Sequence, residues 1–414
     1  MTAIVGVLNK HAVAIAADSA VTMGNTHKVV NSANKIFTLS KYHPVAIMTY
    51  SNAAFMGVPW DIIIKEYRKQ LKDVSFSHLR EYMDDFLQFI HLRDFFCDAK
   101  TQENYLSFAL HFFWNACSDF LEQDKKEVLG PEDADKIKQH LEQVINNIKT
   151  WGRCPEFEDY SYDDFTKLAL THVKDFANSK GFLYGDLLCE SFFHYLCSKI
   201  SLQVETGLVF VGYGESEIYP SLFPINISLA IDGHLRYYID EHKVAQISEH
   251  GSGAIISPFA QTDVIQTIVR GINPTFQDII YNVINKSIKI YTDSITNILD
   301  KDPVTKLLSE AVKNLDLEPT IIQITKQINA QMKKTYTDPL LNTIKSLDKE
   351  DMANMAESFI ALTSLVRRMQ PGEETVGGPV DVAVISKGDG FVWINRKHYF
   401  NPDLNASFFA NYFK

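Results

Sequence analysis

The chain has 414 residues, 46% hydrophobic and 22% charged, enough apolar material for a large core and, on length alone, for two or three domains. Its net charge of −11 arises from dispersed acids without a Lys/Arg cluster, which argues against nucleic acid as a partner. No apolar run reaches the roughly 18–20 residues of a membrane span, no basic-then-apolar leader opens the chain, and the five cysteines show no CxxC spacing; a cytoplasmic protein with reduced thiols, no membrane anchor, no metal and no cofactor is expected.

In chain order, Ala3 to Val7 is a short apolar run, Asn9-Lys10 marks a turn, and Ala12 to Ala17 is a second run ending at Asp18. Such a hairpin brings Asp18 back beside Thr2. Val21 to Gly24, a polar stretch from Asn25 to Asn34, and then Lys35-Ile36-Phe37-Thr38-Leu39 offer a third return to the same place. If Met1 is removed, Thr2 becomes a terminal threonine whose α-amine can take the proton from its own hydroxyl. A buried Lys35 ammonium would lower the hydroxyl pKa and keep the α-amine neutral, with Asp18 holding the lysine charged. Taken singly, the residues have plainer readings: Asp18 as a turn cap, Lys35 as a solvated strand-edge charge.

Further on, Phe76 to about Ile200 carries helical patterns, with Leu79, Tyr82, Met83, Phe86 and Ile90 on one face and Ile137, Leu141, Val144, Ile145 and Ile148 on another. Ser77, Gly130-Pro131 and Cys154-Pro155 punctuate it. The aromatics Phe108, Phe112, Phe113, Trp114 and Phe120 read as core rather than as a partner surface. A second helical region runs from Ala260 to Gln370 and ends in Met352, Met355, Phe359, Leu362 and Val366 at helical spacing, a face expected to pack on a sheet. His250 stands beside a Gly-Ser-Gly turn, but His27, His43 and His234 show no ligand spacing with it. No phosphate loop is present, and Gly212-Tyr213-Gly214 is too short for a dinucleotide site.

Thr2-Ala3-Ile4-Val5-Gly6-Val7, Ala16 to Asn25 and Asn34-Lys35-Ile36 resemble the opening of proteasome β-type subunits and of the peptidase subunit of bacterial ATP-dependent two-component proteases, which are N-terminal nucleophile (Ntn) hydrolases. His250-Gly251-Ser252-Gly253-Ala254 is similar to that family's Gly-Ser-Gly turn, Gly207 to Asp240 to its middle strand pair, and Gly377 to Ile385 with Asp389-Gly390 to its last hairpin. The resemblance implies Thr2 as nucleophile, Asp18 and Lys35 as its charge partners, and Ser252 with Gly251 as support. It also implies Thr22 and Met48 as substrate-binding residues, Thr22 bonding an extended backbone. Two departures stand out: Tyr50 occupies the position where a glycine usually donates its amide to the oxyanion, and Glu373 and Val376 stand where an aspartate and a serine usually precede the glycine pair.

The fold implied is α+β, a four-layer αββα sandwich with two inserted helical regions. Its parts are an N-terminal core segment (1–75), a largely inserted helical region (76–203), central strands (204–259), a second helical insertion (260–345) and a C-terminal helix with strands (346–414). The activity implied is amide-bond hydrolysis by a terminal threonine, a threonine-type endopeptidase acting on polypeptide or amide substrates as a homo-oligomer with a possible ATPase partner. Two alternatives are an inactive scaffold, favoured by Glu373 and Val376, and a small-substrate amidase or acylase, favoured by the Tyr50 ring narrowing the pocket.

Overall fold

The chain opens with strands β1 (Ala3–Asn9) and β2 (Val13–Ala17), both fully buried apolar runs. The turn between them is closed by the Asn9 side chain, which accepts the His11 N–H at 2.8 Å and the Ala12 N–H at 3.1 Å, as Asx residues do in turns. A short hairpin, β3 (Val21–Met23) and β4 (Lys28–Val30), leads to β5 (Ile36–Thr38) and β6 (Val45–Ser51), then to β7 (Ala54–Phe55) and β8 (Val58–Pro59). Six helices follow: α1 (Trp60–Leu71), α2 (Leu79–His91), α3 (Ala99–Ser118), α4 (Pro131–Ile148), α5 (Tyr162–Ser179) and α6 (Gly185–Cys197). Strands β9 (Thr206–Gly212), β10 (Ser221–Ile231), β11 (His234–Ile239), β12 (Ala245–Gln246) and β13 (Ala254–Ala260) come next. The second helical run is α7 (Asp263–Arg270), α8 (Pro274–Leu299), α9 (Lys306–Lys313), α10 (Glu318–Met332), α11 (Asp338–Ile344) and α12 (Lys349–Met369), and β14 (Asp381–Ser386) and β15 (Gly390–Asn395) close the fold. This computed structural model describes residues 2–23, 28–92, 98–119, 131–301, 304–370, 376–398, 400–407 and 410.

The architecture is α+β with antiparallel sheets, and the chain divides into two units interleaved in sequence. The first comprises Met1–Asn31, Ile247–Val382 and Asn395–Lys414; the second comprises Ser32–Gln246 and Ala383–Ile394.

In the first unit β1 lies between β2 and β13, antiparallel to both. Helix α12 packs on β1 and β2. It starts where the Asp348 side chain accepts the Asp351 N–H at 2.9 Å, and it carries acids in its first turn and arginines in its last, matching the helix dipole. Its buried face is Met352, Ala353, Ala356, Phe359, Ile360 and Thr363. That face is rotated from the expected one: Leu362 is 43% exposed, because the small alanines, not the larger leucine, are turned toward the strands. The fully buried Asn9 amide donates to the carbonyls of Ile344 and Leu347 at 2.9 and 3.0 Å, satisfying the end of α11.

In the second unit the sheet order is β11-β10-β9-β6-β5. One face of it meets an aromatic core: the Phe86 ring stands edge-on to Phe210 at 5.5 Å and to Tyr67 at 5.0 Å, and Leu79, Tyr82, Met83 and Ile90 of the same α2 stripe are buried. Phe113 and Trp114 are core as expected, Phe108 is 48% exposed, and Phe120 lies outside the described residues. The four described cysteines, Cys117, Cys154, Cys189 and Cys197, are free and buried; Cys97 lies outside the described residues.

Arg236 pins the sheet to the helices. At 1% exposure its guanidinium donates to the carbonyls of Leu196 (2.7 Å), Ser198 (2.6 Å) and Ile200 (2.5 Å) at the end of α6, and to the Ser228 hydroxyl (3.0 Å). Glu205 lies 3.9 Å away. Burial pushes the Glu205 carboxyl above its ordinary range and outweighs the opposing pull of its hydrogen bonds and of Arg236. A raised acid pKa means that the folded state holds this proton more tightly than the unfolded one. The Glu205 contribution is therefore fully present below its unfolded pKa of about 4.3 and is lost as pH rises through the folded value. Urea unfolding of the wild type and Glu205→Gln from pH 4 to 8 checks this: the stability of the wild type relative to the variant falls as pH rises, and a pH-independent difference would refute the assignment.

Candidate functional site

Thr2 stands at the head of β1 with 4% of its surface exposed. The hairpin places Asp18, 1% exposed, against it: the Ala3 N–H donates to Asp18 Oδ1 at 2.9 Å, and the Asp18 N–H donates to the Ala3 carbonyl at 3.1 Å. Asp18 Oδ2 accepts two more backbone donors, Ala20 and Gly377, each at 3.1 Å. Ser19 locks onto the same glycine segment, its N–H donating to the Gly377 carbonyl at 3.0 Å and its hydroxyl to the Pro379 carbonyl at 2.5 Å. Gly378 has φ +75°, and a Cβ there would sit 2.8 Å from Asn31 Cβ, so both conformation and space demand glycine.

The other neighbour of Thr2 is the far end of β13. The Thr2 carbonyl accepts the Gln261 N–H at 3.1 Å, and Ala260, opposite Ala3, has φ +61°. A left-handed alanine costs about 1–2 kcal/mol, and residues held this way gather at functional sites. Gln261, one residue before the Thr262 that leads into α7, is a neighbour of Thr2 that no sequence motif marks.

The same register corrects the expected role of Ser252 and Gly251. Ala3 pairs with Ala260 and Asn9 with Ala254, so β13 runs away from Thr2 toward its own start. At about 3.4 Å per residue the two ends are roughly 20 Å apart, and Gly251-Ser252 lies beyond the distant one. Ser252 is exposed there, and so is His250.

Of the remaining candidates, Lys35, Met48 and Tyr50 fall in the second unit, Thr22 and Val376 in the first, and Glu373 outside the described residues. Lys35, 3% exposed, precedes β5, and its carbonyl accepts the Thr49 N–H at 2.9 Å. N–H groups alternate along a strand. With Thr49 pointing to β5, Met48 and Tyr50 point their N–H groups toward β9, where Tyr50 stands opposite Gly207. The Tyr50 amide is therefore turned into the sheet and not toward an oxyanion; the next N–H on the β5 side is that of Ser51, a residue at φ +71°. The Tyr50 ring lies across β9: a Cβ on Gly207 would come within 1.8 Å of its Cζ, and its hydroxyl donates to Asn226 Oδ1 at 3.3 Å. Burial, reinforced by Glu205 and Asp240, raises the pKa of the hydroxyl and keeps it protonated. Met48 is completely buried opposite Val209, which leaves it no open surface for a substrate. Thr22 lies in β3, Val376 is fully buried, and Glu373 lies outside the described residues. Among the described residues no cluster of His, Cys, Asp and Glu could hold a metal ion, and no helix is long and apolar enough to cross a membrane.

Substitutions at Asp18 and at Gly207 test this geometry. Asp18→Ala leaves three buried N–H groups without their acceptor and is expected to lower stability by about 3–5 kcal/mol, while Asp18→Asn, which keeps one acceptor oxygen, costs less; denaturant midpoints measure both. Gly207→Ala is expected to cost about 1–3 kcal/mol by overpacking. In a Tyr50→Ala background that cost shrinks, and simple additivity in the double-mutant cycle would contradict the ring's placement over Gly207.

No protein-family model matches the chain, and no curated protein matches it. Solved structures that match include Anbu from Hyphomicrobium sp. strain MC1, at 9% identity over 99% of this chain and 94% of that one with TM-score 0.31. A helical assembly of the Anbu complex from Pseudomonas aeruginosa matches at 9% identity, 99% and 93% coverage and TM-score 0.34, and Anbu (ancestral beta-subunit) from Yersinia bercovieri at 9%, 99% and 94% with TM-score 0.26. Likenesses this weak carry no argument about the site. They do correct the resemblance to proteasome β-type subunits and two-component peptidase subunits: the matched structures are Anbu proteins, a distinct family, and no family model places the chain with the former. The physical reason is that Thr2, Asp18 and Lys35 specify the spacing of strand ends, which does not single out one family.

Proposed function

We propose that the chain is an N-terminal-threonine hydrolase of amide bonds, with polypeptides as the first substrate class. The observation that carries this reading is the anchoring of Thr2: a threonine at the head of a buried strand, with Asp18 holding the adjacent N–H at 2.9 Å and a left-handed alanine opposite. Catalysis by a terminal residue demands such a fixed main chain, because the nucleophile and its base share one residue.

In the proposed reaction the Met1–Thr2 peptide bond is first hydrolysed by a methionine aminopeptidase, water supplying OH to the Met1 carbonyl and H to the Thr2 nitrogen, which frees the α-amine and opens this nearly closed end of the strand. The Thr2 hydroxyl oxygen then bonds to the substrate carbonyl carbon as its proton passes to the α-amine, directly or through water. The tetrahedral oxyanion collapses, the C–N bond breaks, and the leaving amine takes the proton back. Water hydrolyses the resulting ester by the same proton path. Lys35, buried at 3% exposure, is kept as the proposed cation that acidifies the Thr2 hydroxyl. Self-association and a cytoplasmic setting belong to the same proposal, the latter supported by four buried free thiols. An ATPase partner is needed only if substrates arrive folded. The small-substrate alternative loses its support, since the Tyr50 ring lies over Gly207 and not free in a pocket.

Intact mass after incubation with a peptide epoxyketone, which requires a terminal amine and its adjacent hydroxyl, tests the reading. One stoichiometric adduct on a chain beginning at Thr2 is expected, with none on Thr2→Ala. Lys35→Ala is expected to lower peptide or acyl-amide turnover by about 10²–10⁴ with the fold intact. An unlabelled, inactive chain still carrying a residue before Thr2 would favour the scaffold alternative.

A further inference from the structure

Helix α8 is built inside out. Its 26 residues, capped at the start by Asn273 accepting the Thr275 N–H at 2.9 Å, make it about 39 Å long. The residues it buries are Gln277 and Thr296. Gln277 joins Tyr281 and Asn329 in a polar network, its Nε2 donating to the Tyr281 hydroxyl at 2.6 Å and to Asn329 Oδ1 at 2.9 Å, with Tyr281 donating to the same oxygen at 2.8 Å. Meanwhile Phe276, Ile279, Val283, Ile290, Tyr291 and Ile298 stand 50–71% exposed. At 100° per residue these six fall within about a third of the helix circumference, one continuous stripe. On the adjacent face Ile280, Ile284, Ile288 and Ile295 are half-buried; Ile288 and Ile295, with Tyr291 at the edge of the stripe, line a cavity with Val312, Leu315 and Leu317, and Gln277 reaches α10 through Asn329. A helix rich in Ile, Val and Thr has modest intrinsic helicity and depends on packing, yet these six apolar side chains face water.

We propose that this stripe is the contact surface for a second copy of the chain, two α8 helices pairing antiparallel about a twofold axis near Ile290. Two observations select this occupant. With half to two-thirds of each side chain open, six residues offer on the order of 700 Å², close to the roughly 800 Å² per partner of a stable interface. Lys286 and Asp293 lie two turns apart on the same edge of the stripe, both exposed. When helices pair antiparallel about a twofold axis, like edges meet, so Lys286 faces Asp293 of the copy and Asp293 faces Lys286 of the copy. One helix thus supplies both halves of a self-complementary contact. The inference rests on α8 alone and is independent of the Thr2 reading.

Light scattering coupled to size exclusion, with sedimentation across a concentration series, provides the test on the full chain. The wild type is expected to self-associate, and Ile290→Asp to raise the dissociation constant at least about 30-fold with unchanged circular dichroism. Lys286→Asp is expected to weaken association about tenfold and Lys286→Asp with Asp293→Lys to restore it, a reversal that generic apolar stickiness would not show. In a Cys97→Ser background, Ile290→Cys is expected to form a disulfide-linked dimer on oxidation, and Gln323→Cys on α10 is not. A wild type that stays monomeric, or an Ile290→Asp variant that assembles unchanged, overturns the proposal. So does a monomer that pellets with phosphatidylcholine–phosphatidylglycerol vesicles and loses that binding in Ile290→Asp, which would assign the stripe to a lipid surface.

Discussion

The first unit depends on one buried carboxylate. Asp18 gathers the N–H groups of Ala3, Ala20 and Gly377, three points from the head of β1, the exit of β2 and the segment before β14. Withdrawing a carboxylate from water costs several kcal/mol, and charge-assisted hydrogen bonds of about 1.5–3 kcal/mol each are what offset it. The arrangement explains why Ser19 and the Gly377-Gly378 pair are drawn in so closely: an acceptor with both oxygens engaged fixes the backbone on either side of it. An ionised carboxylate has about four acceptor sites, and three are taken by these backbone groups.

Much of this was legible in the residues. Two small-apolar runs separated by Asn9-Lys10 are sufficient to foresee a hairpin that returns Asp18 to Thr2, because strand alternation and turn chemistry are local. The helical stripe of α2 was legible for the same reason. What failed was register and direction. A Gly-Ser-Gly turn next to an apolar run looks like a site element wherever it occurs; only the antiparallel pairing of β13 with β1 reveals that the turn sits at the wrong end and that Gln261, an unremarked glutamine, sits at the right one. Tyr50 is a one-residue version of the same problem. Whether its amide or that of Ser51 points to the β5 side depends on Lys35 facing Thr49, and one step of register exchanges the two. The phase of α12 escaped for a different reason: hydrophobicity favours Leu362 for the core, whereas close packing on flat strands favours Ala353 and Ala356.

The helical segments show the limit of patterning more sharply. Periodicity identifies α8 as a helix, but its apolar residues wrap around more than one face, and a sequence does not say whether the second face is covered by its own chain or by another. Gln277, buried on α8 and bonded to the half-buried Tyr281 and to Asn329 of α10, decides this in the folded protein, because it takes an interior position that an apolar side chain would otherwise take. Polar groups buried with their partners fix one arrangement of a helix pair at little gain in stability. The apolar surface displaced outward then becomes a specification for contact with something else.

These features separate two kinds of importance around Thr2. Asp18 and Gly378 hold the backbone, so changing them disturbs the fold itself and cannot distinguish a catalyst from a scaffold. Thr2 is different: the contacts seen around it run through main-chain atoms, its carbonyl accepting from Gln261 and the following N–H donating to Asp18. Its hydroxyl can be removed without disturbing either bond. Selection for stability alone therefore gives no reason for a hydroxyl at this position, and the chemistry of position 2 becomes a question about function that the surrounding fold does not answer in advance.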